Sequence, residues 1–134
     1  MSEANVEIVR RLAAAFTESH EVLPELVAPD FIWDLSSWPE WTGRKEFHGV
    51  DEFMAFFAEW TDAYVEWDQE VESVIDAGGD QVVEITRQQG RLQNSDSWIA
   101  WRYGIVYTLE DGLAKRGKLY GSPEDALEAA GLSR

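Results

Sequence analysis

The sequence predicts an α+β fold: a curved antiparallel β-sheet wrapped around N-terminal helices, forming a cone with an internal pocket. Three observations predict it. Four β-type segments run from about Val65 to Tyr120 with no helix between them. The last two meet at Glu110-Asp111-Gly112, which reads as a tight hairpin turn. Two helical segments, residues 3–20 and 50–64, precede this meander. Two helices followed by a long curled sheet enclose a space between them.

Each element has its own signal. In residues 3–20, Val6, Val9, Ala13 and Phe16 recur at three- and four-residue spacing and make one apolar stripe. Ser2 or Asn5 can cap the start of this helix. Residues 23–28 read as a short helical turn, with Pro24 at its beginning. Residues 30–35 alternate as a strand, with Phe31, Trp33 and Leu35 on one face and Ile32 and Asp34 on the other. Residues 36–49 form a loop holding Pro39, Gly43 and Gly49. Its aromatic residues Trp38, Trp41 and Phe47 predict that it folds back over something apolar. The 50–64 helix carries Phe53, Phe56, Phe57, Trp60 and Tyr64 as a broad aromatic face.

Residues 66–77 alternate cleanly, with Trp67, Val71 and Ile75 on one side and Glu66, Asp68, Glu70 and Glu72 on the other. Gly78-Gly79-Asp80 is a turn. Residues 81–92 and 97–110 make a hairpin, and 113–120 is the last strand. Ser122 caps a final helix with Pro123 at its first position, and Gly131 ends it. The 97–110 strand has apolar residues on both faces and must be covered on both. Helices cover one. A second subunit is expected on the other, giving a homodimer through the outer sheet face, unless the C-terminal segment lies there.

Composition narrows the function. The 134 residues are expected to form one domain, 1–134, able to bury roughly two-thirds of the unfolded surface. There is no cysteine, so thiolate chemistry and disulfides are excluded. Two histidines, His20 and His48, are too few for a histidine-rich metal centre, and no metal or other cofactor is expected. No apolar run approaches a membrane span, and residues 1–5 lack the blocks of a signal peptide, so a cytoplasmic location is expected. The net charge is −15, and twelve acidic residues but no Lys or Arg lie between Glu46 and Thr86. Such a surface repels phosphate backbones and anionic substrates, so nucleic acid is not an expected partner.

Several stretches are similar to the SnoaL-like branch of the nuclear-transport-factor-2-like superfamily. They are Ala28-Pro29-Asp30-Phe31-Ile32-Trp33, Trp38-Pro39-Glu40, Phe47-His48-Gly49-Val50-Asp51-Glu52-Phe53 and Val74-Ile75-Asp76-Ala77-Gly78-Gly79-Asp80. Tyr107-Thr108-Leu109-Glu110-Asp111-Gly112 and the segment from Glu124 to Leu132 complete the match. The resemblance implies the cone fold and a pocket for a small, mostly apolar molecule. It does not fix the reaction, because this superfamily includes isomerases, epoxide hydrolases, cyclases and non-catalytic binders. The steroid-isomerase pattern falls on Ala13 for its Tyr, near Gly104 for its sheet Asp, and on or beside Leu35, next to Asp34, for its base. The epoxide-hydrolase relay falls near Thr86, Gln88 and Leu119. Neither set is present. A cyclase-type acid could be Glu84 or Asp34.

By the family register, the pocket face carries Glu84, Thr86 and Gln88, then Trp98, Ala100, Arg102, Gly104 and Val106, then Gly117, Leu119 and Gly121. Glu84 facing Arg102 would anchor a ligand carbonyl or form a structural ion pair. Asp34, if it points inward, would have a raised pKa and serve as acid or base. It is otherwise an exposed carboxylate. His48 could shuttle protons or merely cap a helix. Gly104 leaves room for a ligand or marks a bend. There are seven tryptophans. Trp33, Trp67 and Trp101 read as core or interface, with Trp33 bordering the pocket. Trp38, Trp41, Trp60 and Trp98 are expected at the mouth, where their rings would grip a planar ligand. Three readings stay open: an acid–base enzyme using Asp34 or Glu84 with Arg102, a binder, or a dimerisation scaffold with a filled pocket.

Overall fold

The computed structural model describes residues 2–38 and 43–132. Helix α1 is Ser2–Ser19, followed by a single 3-10 turn at Pro24–Leu26. Strand β1 (Val27–Asp34) and the three-residue β2 (Glu46–His48) lead into helix α2 (Gly49–Thr61). Strands β3 (Tyr64–Gly78), β4 (Gln81–Leu92), β5 (Trp98–Glu110) and β6 (Leu113–Tyr120) follow, and α3 (Pro123–Ala129) closes the chain.

One sheet takes all six strands in the order β2-β1-β6-β5-β4-β3. Every neighbouring pair is antiparallel except β1 and β6, which run parallel. Strand β2 lies inside the stretch read as a loop; three residues are too short to show alternation. Three register shifts interrupt the pairing of β3 with β4, and one more lies between β5 and β6. Bulges bend the bulged strand and sharpen its twist, so the long strands curl around α1 and α2.

Local chemistry fixes the elements that position the interior. The α1 stripe buries Val6, Val9, Leu12 and Ala13. At the start of α2, the Glu52 carboxylate accepts the His48 backbone N–H at 2.7 Å, satisfying a donor the helix leaves open. Ser122 Oγ accepts the Asp125 N–H at 3.1 Å and Pro123 sits in the first turn, as the sequence predicts for α3. The β5–β6 turn places Asp111 and Gly112 at positive φ, 55° and 78°, the conformation that a two-residue hairpin needs.

The register assigns the faces. Across the inner face run the rows Gln69–Gln88–Trp101, Val71–Thr86–Tyr103 and Val74–Glu84–Ile105–Leu119. Across the outer face runs Ser73–Ile85–Gly104–Tyr120, and Arg87 faces Arg102. The β5 residues read as pocket-facing therefore face outward, and their alternate set faces in. Both sets are largely apolar, so the strand's pattern could not tell them apart.

Helix α3 accounts for the outer apolar set. Ala126 packs with Val83, Ile85 and Val106, joined by Ile75, Leu127 and Leu132. Gly104 is where this helix comes closest: a Cβ there would overlap the Ala126 methyl. At this end of the strand, the C-terminal segment supplies the second cover. Gly104→Ala should destabilise the fold by about 1–3 kcal/mol, read as a lower midpoint in thermal denaturation. An unchanged midpoint would mean that α3 does not seat against β5 this closely.

Candidate functional site

Between the two long helices and the inner sheet face lies a cavity with about 100 Å³ open to the centres of water molecules. That is room for several waters or a small organic molecule. Its wall is aromatic. Helix α2 contributes Phe53, Phe56, Phe57 and Trp60, and α1 contributes Phe16. Trp38 and Trp60 pack with ring centroids 5.0 Å apart, and Trp60 meets Trp101 edge-on at 5.7 Å. Phe57 and Trp67 meet edge-on at 5.0 Å.

The polar groups are few and sit on the sheet. Glu84 is 3% exposed. The Thr86 hydroxyl donates to its Oε2. Burial pushes the Glu84 carboxyl up to about 7, against the opposing effect of the Thr86 hydrogen bond. Two tyrosines line the same cavity, Tyr103 and Tyr107. Burial and then the Glu84 charge raise the Tyr103 hydroxyl well above the ordinary phenol range, while the Gln88 amide pulls the other way. Burial, Glu84 and Tyr103 together raise Tyr107. These shifts keep the phenols protonated as hydrogen-bond donors.

Gln88 is held by two indoles. Trp60 Nε1 donates to its Oε1 at 3.1 Å and Trp67 Nε1 donates to the same oxygen at 3.0 Å. Gln69 Nε2 donates to Thr17 Oγ1 at 3.0 Å, tying the sheet to α1. The Trp33 indole N–H is buried and has no hydrogen-bond partner among the described residues.

The structure separates the residues that the sequence singled out. Glu84, Gln88, Leu119, Trp33, Trp38 and Trp60 line the cavity. Trp41 lies outside the described residues. Arg102 does not face Glu84; it points outward and pairs with Glu72 at 2.8 Å. Its alternation was taken from the wrong face of β5, so Glu84 opposes Ile105 instead. Gly104 shares that outer face and leaves room for α3, not for a ligand. Trp98 is 52% exposed and borders a separate outer hollow with Tyr64, Val65 and Gln89.

Asp34 also turns away from the cavity. It accepts the Ser36 backbone N–H at 2.8 Å and pairs with Arg116 at 2.5 Å. Burial alone would raise its pKa, but the Ser36 hydrogen bonds and the Arg116 and Lys118 charges outweigh it and leave the carboxyl below its ordinary value. The raised pKa expected of an inward-pointing Asp34 therefore does not apply, and the carboxyl is buried in its ion pair with Arg116, not exposed. His48 is largely exposed beside Glu46, 3.6 Å away, and caps α2 through its backbone.

The sequence reading left Trp101, Tyr103 and Tyr107 out of the site. Their alternation was visible, but it was assigned to the outer face. Gln69 lies between Trp67 and Val71 on the apolar side of the strand's alternation, and that position was the signal that could have found it.

A family model for the SnoaL-like domain matches residues 9–117. No curated protein matches the chain. Among solved structures, TerC co-crystallized with polyporic acid is similar, at 17% identity and TM-score 0.73 over 96% of this chain and 98% of that one. A candidate SnoaL-like polyketide cyclase from Jannaschia sp. has 22% identity and TM-score 0.72, over 99% and 94% of the two chains. A protein of ketosteroid-isomerase-like fold from Catenulispora acidiphila, in complex with trimethylamine, has 19% identity and TM-score 0.69 over 94% and 93%. At these identities the likeness is one of fold: a nuclear-transport-factor-2-like cone.

The raised Glu84 pKa has a consequence for stability. In the unfolded chain this carboxyl ionises near 4.5; in the folded chain it stays protonated up to about 7. Folding is therefore progressively penalised as pH rises from 4.5 to 7, and the penalty is constant above that. Glu84→Gln should match the wild type near pH 4 and exceed it by up to about 3 kcal/mol at pH 8. Urea denaturation at both pH values checks this. A pH-independent difference would mean that Glu84 ionises normally.

Proposed function

Because the chain belongs to the SnoaL-like domain family, we propose that it is a small-molecule pocket protein. Its ligand is neutral and mostly apolar, and its chemistry is acid–base catalysis without a cofactor. The observation that carries this reading is Glu84, among the described residues the only Asp, Glu, Lys, Arg or His side chain on the wall of an aromatic cavity. A carboxyl with a pKa of about 7 has both protonation states populated at neutral pH, the condition under which one group both takes and returns a proton. As carboxylate, Glu84 would take a proton from a carbon beside a substrate carbonyl. The electron pair would move onto the carbonyl oxygen, where a tyrosine hydroxyl donates a hydrogen bond. The protonated Glu84 would then return the proton at another position. Among the described residues no Lys, Arg or His lines the wall, which together with a net charge of −15 argues for a neutral ligand.

A non-catalytic binder is the second reading. It is favoured by the hydrogen bond from Thr86, which occupies one Glu84 oxygen. Glu84→Gln separates the two: it should lower turnover of a substrate by at least about 100-fold while retaining binding. Loss of neither would remove Glu84 from the chemistry.

The cavity itself can be tested with the neutral fluorophore N-phenyl-1-naphthylamine. Trp101→Ala should weaken its binding by about ten-fold or more, and Trp98→Ala should leave it unchanged. The opposite pattern would place the ligand on the outer surface. We also place a second copy of the chain on the outer strip that α3 leaves open, around Trp98, Ala100 and Arg102. Sedimentation equilibrium should then return twice the 15.3 kDa chain mass, and Trp98→Glu should halve it. A 15.3 kDa species for the wild type would contradict this.

A further inference from the structure

Gln88 lies on the inner face of β4, between Gln69 and Trp101 in the register, and is 6% exposed. Its side chain is held in one orientation. An indole N–H can only donate, so the atom receiving both Trp60 and Trp67 must be the amide oxygen. The usual ambiguity between the two ends of a glutamine amide does not arise here. Both acceptor positions of that oxygen are used. The nitrogen, with two N–H groups, is left for the cavity side.

The cavity side is where Tyr103 lies. It shares the inner face with Gln88: Tyr103 pairs with Thr86 in the register and Gln88 with Trp101, one row along. Trp33, on the wall of the same cavity, adds an indole N–H with no protein acceptor among the described residues. These N–H groups are donors that the cavity wall offers to a ligand. A buried donor without an acceptor is costly, and a ligand that brings an acceptor recovers that cost.

We propose that Gln88 is a specificity-determining residue of this cavity: clamped by Trp60 and Trp67, it presents N–H donors that select a ligand carrying an accepting oxygen over its hydrocarbon isostere. The proposal rests on the pocket reading given above and adds to it the residue that sets the ligand's polarity. In this role Gln88 meets the ligand oxygen through its N–H groups and moves no proton.

Two probes of equal shape test this, 2-acetylnaphthalene and 2-isopropylnaphthalene, titrated calorimetrically against the whole chain at pH 8. The wild type should bind the ketone about ten-fold more tightly than the hydrocarbon. In Gln88→Glu, the carboxylate still accepts both indole N–H groups but donates nothing. The ketone preference should vanish while hydrocarbon affinity stays, which also reports an intact cavity. Gln88→Met should likewise lose the preference; should it fail to fold, Gln88→Glu decides. Equal binding of the two probes by the wild type overturns the proposal and leaves the pocket reading standing. A preference that survives Gln88→Glu shows that another donor sets it and overturns the role of Gln88. Binding of neither probe overturns the pocket reading, and this inference with it.

Discussion

Removing Glu84 from water is the constraint on which the rest of the interior depends. An ionised carboxylate buried without a cation is costly, so the group holds its proton up to about pH 7. That outcome needs three things at once. The sheet must curl far enough to enclose the side chain, which the bulges along β3 accomplish. The helices must close the space with apolar surface, which Phe53, Phe56, Phe57 and Trp60 provide. No Lys or Arg may reach the cavity wall, and among the described residues none does.

The two faces of the sheet divide the electrostatics between them. Outside, charges meet charges: Arg102 with Glu72, Arg91 with Glu66, and Arg116 with Asp34. The first two are exposed pairs, of a kind that contributes little each to stability, commonly under about 1 kcal/mol. Their placement matters more than their strength, because it keeps the late basic cluster off the inner face. Inside, neutral polar groups satisfy one another. Two indoles hold Gln88, and Thr86 holds Glu84. A network of neutral donors and acceptors can be buried where ions cannot.

Much of this was legible in the sequence. The helix and strand order, the Ser122-Pro123 start of α3 and the Asp111-Gly112 turn follow from local chemistry that packing does not override. The alternation of β1 correctly sets Trp33 apart from Asp34, and β4 correctly groups Glu84, Thr86 and Gln88. Strand β5 was not legible, for a physical reason. It is covered on one face by the cavity wall and on the other by α3, so both residue sets are apolar and neither announces its side. The slip of one residue there carried Arg102 into the site and Tyr103 out of it. The parallel pairing of β1 with β6 was hidden too, since it joins segments far apart in the chain.

The protonation of Glu84 can be measured directly. With glutamate labelled at the side-chain carboxyl carbon, carbon NMR follows each carboxyl through a pH titration, and the Glu84→Gln spectrum identifies the Glu84 signal by its absence. An inflection near 7 is expected for a carboxyl enclosed by the aromatic cavity. An inflection near 4.5, the ordinary value, would mean that water reaches Glu84 freely and that the cavity provides no neutral acid.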